Sequence, residues 1–168
     1  MNGLCSNLVA PSIINRDMPG INTMEAMQIN VSQLLKETIG SVRNYKVGGT
    51  IYINDNGSGS PVQGDVKFTR TNRSILVKGS LYLTVEIACS RCLSLFDCPL
   101  TLDIEEEYYP VLDTVSGVTL PSPDEPSSFI IDEHQVLDLN EAARQYAVMA
   151  IPMKPLCRDD CPGIQACN

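Results

Sequence analysis

The chain has no tryptophan, and aromatic residues make up 5% of its 168 positions. A surface that holds single-stranded nucleic acid by stacking needs rings interleaved with cations. Only Phe68 and Tyr82 lie near a basic cluster, so any nucleic-acid contact is expected to be led by phosphate or shape. There is a single histidine. His134 falls in a polar stretch with no Ser, Cys or carboxylate in triad order, and reads as a surface residue. No run of roughly 18 apolar residues is present to span a bilayer. The N-terminus lacks the charged-then-apolar layout of an export signal, so the expected location is the cytoplasm. A phosphate-cradling loop is also missing, because Gly57-Ser58-Gly59 is not followed by Lys-Ser or a helix start and reads as a flexible turn. No small-molecule substrate suggests itself.

Positive charge is absent from residues 96–141, which carry twelve acids and no Lys or Arg, whereas residues 36–95 hold eight basic groups against four acids. The net charge of -8 thus conceals a locally basic half in which Lys67, Arg70, Arg73 and Lys78 form candidate phosphate contacts, with Arg91 further along. A plain segregation of solvated charge is the competing reading.

Seven cysteines without an export signal argue against a disulfide scaffold. Cys89-Ser90-Arg91-Cys92 is a C-x-x-C, and Cys157-Arg158-Asp159-Asp160-Cys161 is a C-x-x-x-C. Thiolates two or three residues apart can reach one Zn²⁺, and two such knuckles complete a tetrahedral structural site. The 64 residues between Cys92 and Cys157 exceed the span of a short zinc ribbon, so the ion would staple the tail onto the preceding domain and close a long loop. Cys167 is a spare ligand, and Cys98 reads as a free buried thiol. A redox dithiol lacks the surrounding βαβ pattern, and cysteines that merely pack remain open. With no general base and no open ligand position in view, the chain is expected not to be an enzyme.

Residues 1–26 show no regular period and read as a poorly ordered extension, with Met27 a candidate functional start. Residues 27–168 read as one domain. Strands are expected at Val47–Ile53, Asp65–Arg70, Ser74–Lys78, Leu81–Ala88 and Phe96–Glu107. Asn54–Pro61, Asn72-Arg73 and Gly79-Ser80 are the expected breaks. Glu105-Glu106-Glu107 suggests charge protecting a sheet edge. Residues 113–128 read as a mobile loop, and Ile130-Ile131 as a short strand. Asp138 is placed to cap a helix containing Leu139, Ala142, Ala143, Tyr146, Ala147 and Ala150, with Glu141 in capping-box position and Pro152 as the stop. The expected class is α+β: an antiparallel sheet or half-open barrel, one main C-terminal helix and a cysteine-rich tail.

With these residues in view the chain resembles the YceD family of bacterial and plastid proteins tied to accumulation of 23S ribosomal RNA. The resemblance runs from about Met27 to Cys161. It rests on Ile29-Asn30-Val31-Ser32-Gln33-Leu34-Leu35, Cys89-Ser90-Arg91-Cys92-Leu93, Asp138-Leu139-Asn140-Glu141 and, most specifically, Ile151-Pro152-Met153-Lys154-Pro155-Leu156-Cys157-Arg158-Asp159-Asp160-Cys161. The chain departs from the pattern at its end, where Gln165 stands in place of a further cysteine. The resemblance implies a non-enzymatic factor in ribosomal RNA processing or large-subunit assembly, with the cysteine pairs as a metal site. Its partner is then ribosomal RNA through the basic strands, or a basic large-subunit ribosomal protein docked on the acidic stretches Asp103–Glu107 and Asp113–Glu133.

Overall fold

The computed structural model describes residues 27–53, 59–113, 116–120 and 129–164. The expected extension 1–26, Cys167, and parts of the expected loops at 54–58 and 121–128 lie outside the described residues. Four long strands follow from the apolar alternation: β2 (Val42–Tyr52), β3 (Gly59–Arg70), β4 (Ile75–Ala88) and β5 (Leu95–Pro110). Each turns one set of side chains inward and the other to solvent. Short strands β1 (Gln28–Asn30), β6 (Phe129–Ile131) and β7 (Val136–Asp138) complete a seven-stranded sheet in the order β1-β7-β6-β5-β4-β3-β2. Helices α1 (Ser32–Lys36) and α2 (Asn140–Ala150) complete an α+β fold.

Three expectations about the sheet need correction. It is mixed, because β6 runs parallel to β5; the long 111–128 connection permits a crossover that a tight hairpin could not make. Residues 75–88 form one strand, with no break at Gly79-Ser80. A Cβ on Gly79 would meet the Asp65 carbonyl oxygen at 2.3 Å, and one on Gly64 would meet the Ser80 carbonyl oxygen at 2.2 Å. These inward-facing glycines mark a close backbone approach inside the sheet, not a turn. Finally, β5 is an interior strand, so its glutamates do not guard an edge.

The close approach goes with strong curvature. β1 and β2 are opposite edges of the sheet, yet the Met27 side chain beside β1 lies 2.9 Å from the Cβ position of Gly49 on β2. Arg43 of β2 also reaches Gln33 and Glu37 around α1. The sheet therefore curls into a half-barrel. Its concave side is filled by Ile29, Val66, Phe68, Val77, Leu81, Leu102 and Ile104. Ala142, Ala143 and Ala147 let α2 close in on this core. Asp138 accepts hydrogen bonds from the backbone and side-chain nitrogens of Asn140 at 2.8 and 2.7 Å, but the N-cap position is Leu139, which makes no side-chain cap bond, so the expected cap stands one residue before the helix boundary. Glu141 does not complete a capping box; it binds Arg144 and Gln145. Cys98 is fully buried on β5 but is disulfide-bonded, not free.

Candidate metal centre

β4 ends at Ala88 and β5 begins at Leu95, so the first cysteine pair occupies the connection between the two longest strands. The Cys89 N–H donates to the Ser94 carbonyl at 2.9 Å and the Leu93 N–H to the Cys89 carbonyl at 3.0 Å, closing a tight loop. Leu93 takes the left-handed conformation at φ 62°. Within the loop the Arg91 N–H points at the Cys89 sulfur, 3.4 Å away.

The second pair arrives from the C-terminal side of the fold. Pro152 prevents α2 from continuing, and the chain passes Pro155, whose carbonyl accepts the Ser90 N–H at 2.8 Å. A turn in which the Cys161 N–H bonds the Arg158 carbonyl follows at 3.2 Å. The Arg91 guanidinium then donates to the Cys161 carbonyl at 3.1 Å. The tail is thus held to the knuckle by backbone contacts that no spacing pattern announces. Gly163, at φ 84°, completes the turn where a side chain would be strained.

The four sulfurs converge. Cys89 and Cys161 lie 3.8 Å apart and Cys92 and Cys157 3.7 Å apart, and all four lie within 4.8 Å of one another. All four are free thiols, far beyond the roughly 2.05 Å of a disulfide. A tetrahedron with metal–sulfur bonds of about 2.3 Å has sulfur–sulfur edges of about 3.8 Å. The two short separations match that edge, so the cluster has the donor type, number and spacing of a four-thiolate metal site.

The local electrostatics divide the thiols. Cys89 is lowered to about 6 by backbone N–H groups of Cys92, Cys157 and Arg91, and Cys92 is lowered by the hydroxyl and backbone of Ser94. Cys157 is pushed up to about 12 by burial of its sulfur and by the neighbouring thiols. At Cys161 the Gly163 N–H favours the thiolate, but burial and Cys92 outweigh it and the thiol is raised. Four thiolates cannot share this volume by themselves, and a divalent cation removes that repulsion.

The candidate phosphate contacts do not form one patch. Lys67 and Lys78 are direct cross-strand neighbours on the outer face, and Lys78 is ion-paired with Glu105. Arg70 and Arg73 belong to the β3–β4 hairpin end, where Arg70 donates to the Ser74 carbonyl. Arg91 lies beyond the opposite end of the fourteen-residue β4, about 40 Å away at strand rise. Lys46 joins the outer face opposite Asp65, a neighbour visible only once the register is known. Several acids of β5 are internally engaged, on the outer face and, for Glu106, on the inward-facing side. Asp103 accepts from Ser80, Glu107 from Tyr109, and Glu106 from Tyr146. His134 is exposed.

Comparison with known proteins places this geometry in context. The family model described as "Large ribosomal RNA subunit accumulation protein YceD" matches residues 77–168. The matched stretch begins within β4, later than the expected Met27, and contains both cysteine pairs. An uncharacterized protein of Mycobacterium leprae (strain TN) is 23% identical over 109 residues, or 64% of this chain and 48% of the relative. The chain spans about half the length of this curated relative. No solved structure matches it.

Proposed function

Because the chain belongs to the YceD family of large ribosomal RNA subunit accumulation proteins, we propose that it is a non-catalytic cytoplasmic factor in 23S ribosomal RNA processing or large-subunit assembly, with a zinc ion pinning its tail. The observation that carries the metal assignment is the gathering of Cys89, Cys92, Cys157 and Cys161 at tetrahedral spacing. Four thiolates fill the coordination shell and leave no position for a reactive water, the arrangement of structural rather than catalytic zinc. The ion supplies a crosslink; the protein's own residues make the contacts.

RNA contact belongs on this reading to Lys67 and Lys78 on the outer face, extended by Arg70 and Arg73 at the hairpin end. Arg91 serves the metal end instead, where it holds the Cys161 carbonyl. Deleting the chromosomal gene and measuring the ratio of mature 23S to 16S ribosomal RNA tests the proposal. The ratio is expected to fall, and to recover with the wild-type gene but not with a Cys157→Ser, Cys161→Ser version. An unchanged ratio in the deletion strain would overturn the assignment.

A further inference from the structure

Four large apolar side chains on the segments that carry or flank the cysteines are left in solvent. Leu93 is 65% exposed, Leu95 64%, Met153 101% and Ile164 67%. They come from both cysteine-bearing segments. Leu93 closes the first loop, and Leu95 follows it at the start of β5. Met153 lies two residues before the Pro155 carbonyl that binds Ser90. Ile164 follows Gly163, whose Cβ position is 3.7 Å from the Arg91 carbonyl. Exposed apolar residues gathered in this way mark an interaction site more often than scattered ones do.

Leu93 adds a second observation. Its positive φ is a conformation that glycine adopts freely and a bulky residue adopts at a cost. The turn alone therefore does not account for leucine at this position. Strain of this kind, at an exposed side chain beside a ligand cluster, points to a role for the side chain itself.

The charge next to the collar identifies what covers it. On the outer face one step along from the Ala88–Leu95 pair, Glu86 and Asp97 lie directly opposite each other across β4 and β5. Like charges so placed repel, and no ion pair to either is formed among the described residues. On the tail side, Arg158 is paired with Asp160, Asp159 adds a carboxylate, and Arg91 keeps its positive charge while its guanidinium donates to the neutral Cys161 carbonyl. A four-thiolate centre around a divalent ion adds two further negative charges. Lys154 and Arg91 are the cations at this end without an ion pair among the described residues, and their two charges do not balance Glu86, Asp97, Asp159 and the centre. The collar thus has an anionic border.

We propose that Leu93, Leu95, Met153 and Ile164, bordered by Glu86 and Asp97, form a docking surface for a basic, amphipathic protein segment. The apolar side chains take the segment's apolar face, and the two carboxylates take its cations. A second copy of the chain, at net charge -8, would bring the same acids against each other, and RNA would meet the anionic border. The proposal rests on the metal-pinned tail, whose Pro155 and Gly163 backbone meets Ser90 and Arg91 of the Leu93-bearing loop.

The test is titration of the full chain with a fluorescent helical Leu/Lys peptide, a Ser/Lys peptide of equal charge, and an oligouridylate, with zinc content and melting temperature recorded for each protein. The variants are Leu93→Gly, the pair Leu95→Ser with Met153→Ser, and the pair Glu86→Gln with Asp97→Asn. The expected result is micromolar binding of the Leu/Lys peptide, at least tenfold tighter than the Ser/Lys peptide. It should weaken tenfold or more in each variant while zinc content and melting temperature are kept. Equal binding by wild type and variants overturns the proposal. So does loss of oligouridylate binding in the same variants, or self-association that Leu93→Gly abolishes. Absence of zinc from the wild type counts against the metal assignment, and the variant titration still decides the docking surface.

Discussion

Leu93 carries its side chain through a left-handed turn, a conformation that costs a bulky L-residue about 1–2 kcal/mol. Leu93→Gly is therefore expected to leave stability unchanged or raise it by up to about 1 kcal/mol in urea unfolding, part of the relief being offset by the freedom glycine gains in the unfolded chain. A loss of more than about 1 kcal/mol would show that the side chain packs in the monomer. Tyr108 is the opposite case. Its ring stacks on Phe129, while its hydroxyl is buried with no hydrogen-bond partner among the described residues. Burial, with Glu106 and Asp138 nearby, raises its pKa. Tyr108→Phe is expected to be neutral or stabilising by about 1 kcal/mol, because it removes an unsatisfied buried donor. Since the folded state holds the phenolic proton beyond the pH at which an unfolded tyrosine releases it, the wild type should lose stability above about pH 10 more steeply than the phenylalanine variant. At this scale the sequence showed the cysteines clearly, because metal-ligand chemistry leaves a spacing signature. It did not show where Arg91 would go. Its guanidinium binds a carbonyl seventy residues away, and one-dimensional spacing has no means of recording that contact.

Within the elements, the period-2 alternation of β2 to β5 was readable because one face of each strand is buried. What misled was glycine. Gly79 reads as a break in a linear pattern, yet it is a mid-strand position that lets β3 and β4 approach closely. Gly64→Ala and Gly79→Ala are each expected to cost about 1–3 kcal/mol through overpacking against backbone; a change below about 0.5 kcal/mol in chemical denaturation would refute the close-approach account. The parallel β5–β6 pair was not legible, since three-residue strands joined by a long connection carry no directional signal. On α2, Glu141 is lowered to about 2 by hydrogen bonds from Arg144 and Gln145. A depressed folded pKa means its contribution is present above about pH 4.5 and fades as pH falls toward 2. The pair is exposed, so Glu141→Gln is expected to cost only about 0.3–0.5 kcal/mol at pH 7. The difference from wild type should vanish near pH 2 in helix-monitored unfolding, and a difference that persists there would contradict the assignment.

Across the whole molecule, the centre joins two regions that are far apart in sequence. One is the β4–β5 loop, and the other is the tail beyond α2, which has no α-helix or strand among the described residues to hold it. A crosslink closing a loop of this length contributes on the order of 4 kcal/mol by chain entropy alone. Chelation of the ion, or replacement of Cys157 and Cys161 by serine, should therefore release the tail and lower stability substantially. The sheet should persist on its own core, and hydrogen exchange should show loss of protection confined to the knuckle and tail. The half-barrel was half legible: alternation and one helix gave its parts, but the curl depends on Gly64, Gly79 and the Met27–Gly49 contact, which exist only once the strands are paired. No helix of the described residues is long and apolar enough to cross a membrane. The family match begins at residue 77, and it includes both of the segments that the cysteines join.

The measurement that tests this account most directly is the metal content of protein purified without a metal-affinity column, by elemental mass spectrometry, for the wild type and the Cys157→Ser, Cys161→Ser variant. The account predicts about one zinc per wild-type chain and little or none in the variant, with a lower melting temperature to match. Wild-type protein carrying no zinc, and melting at the same temperature as the variant, would contradict it.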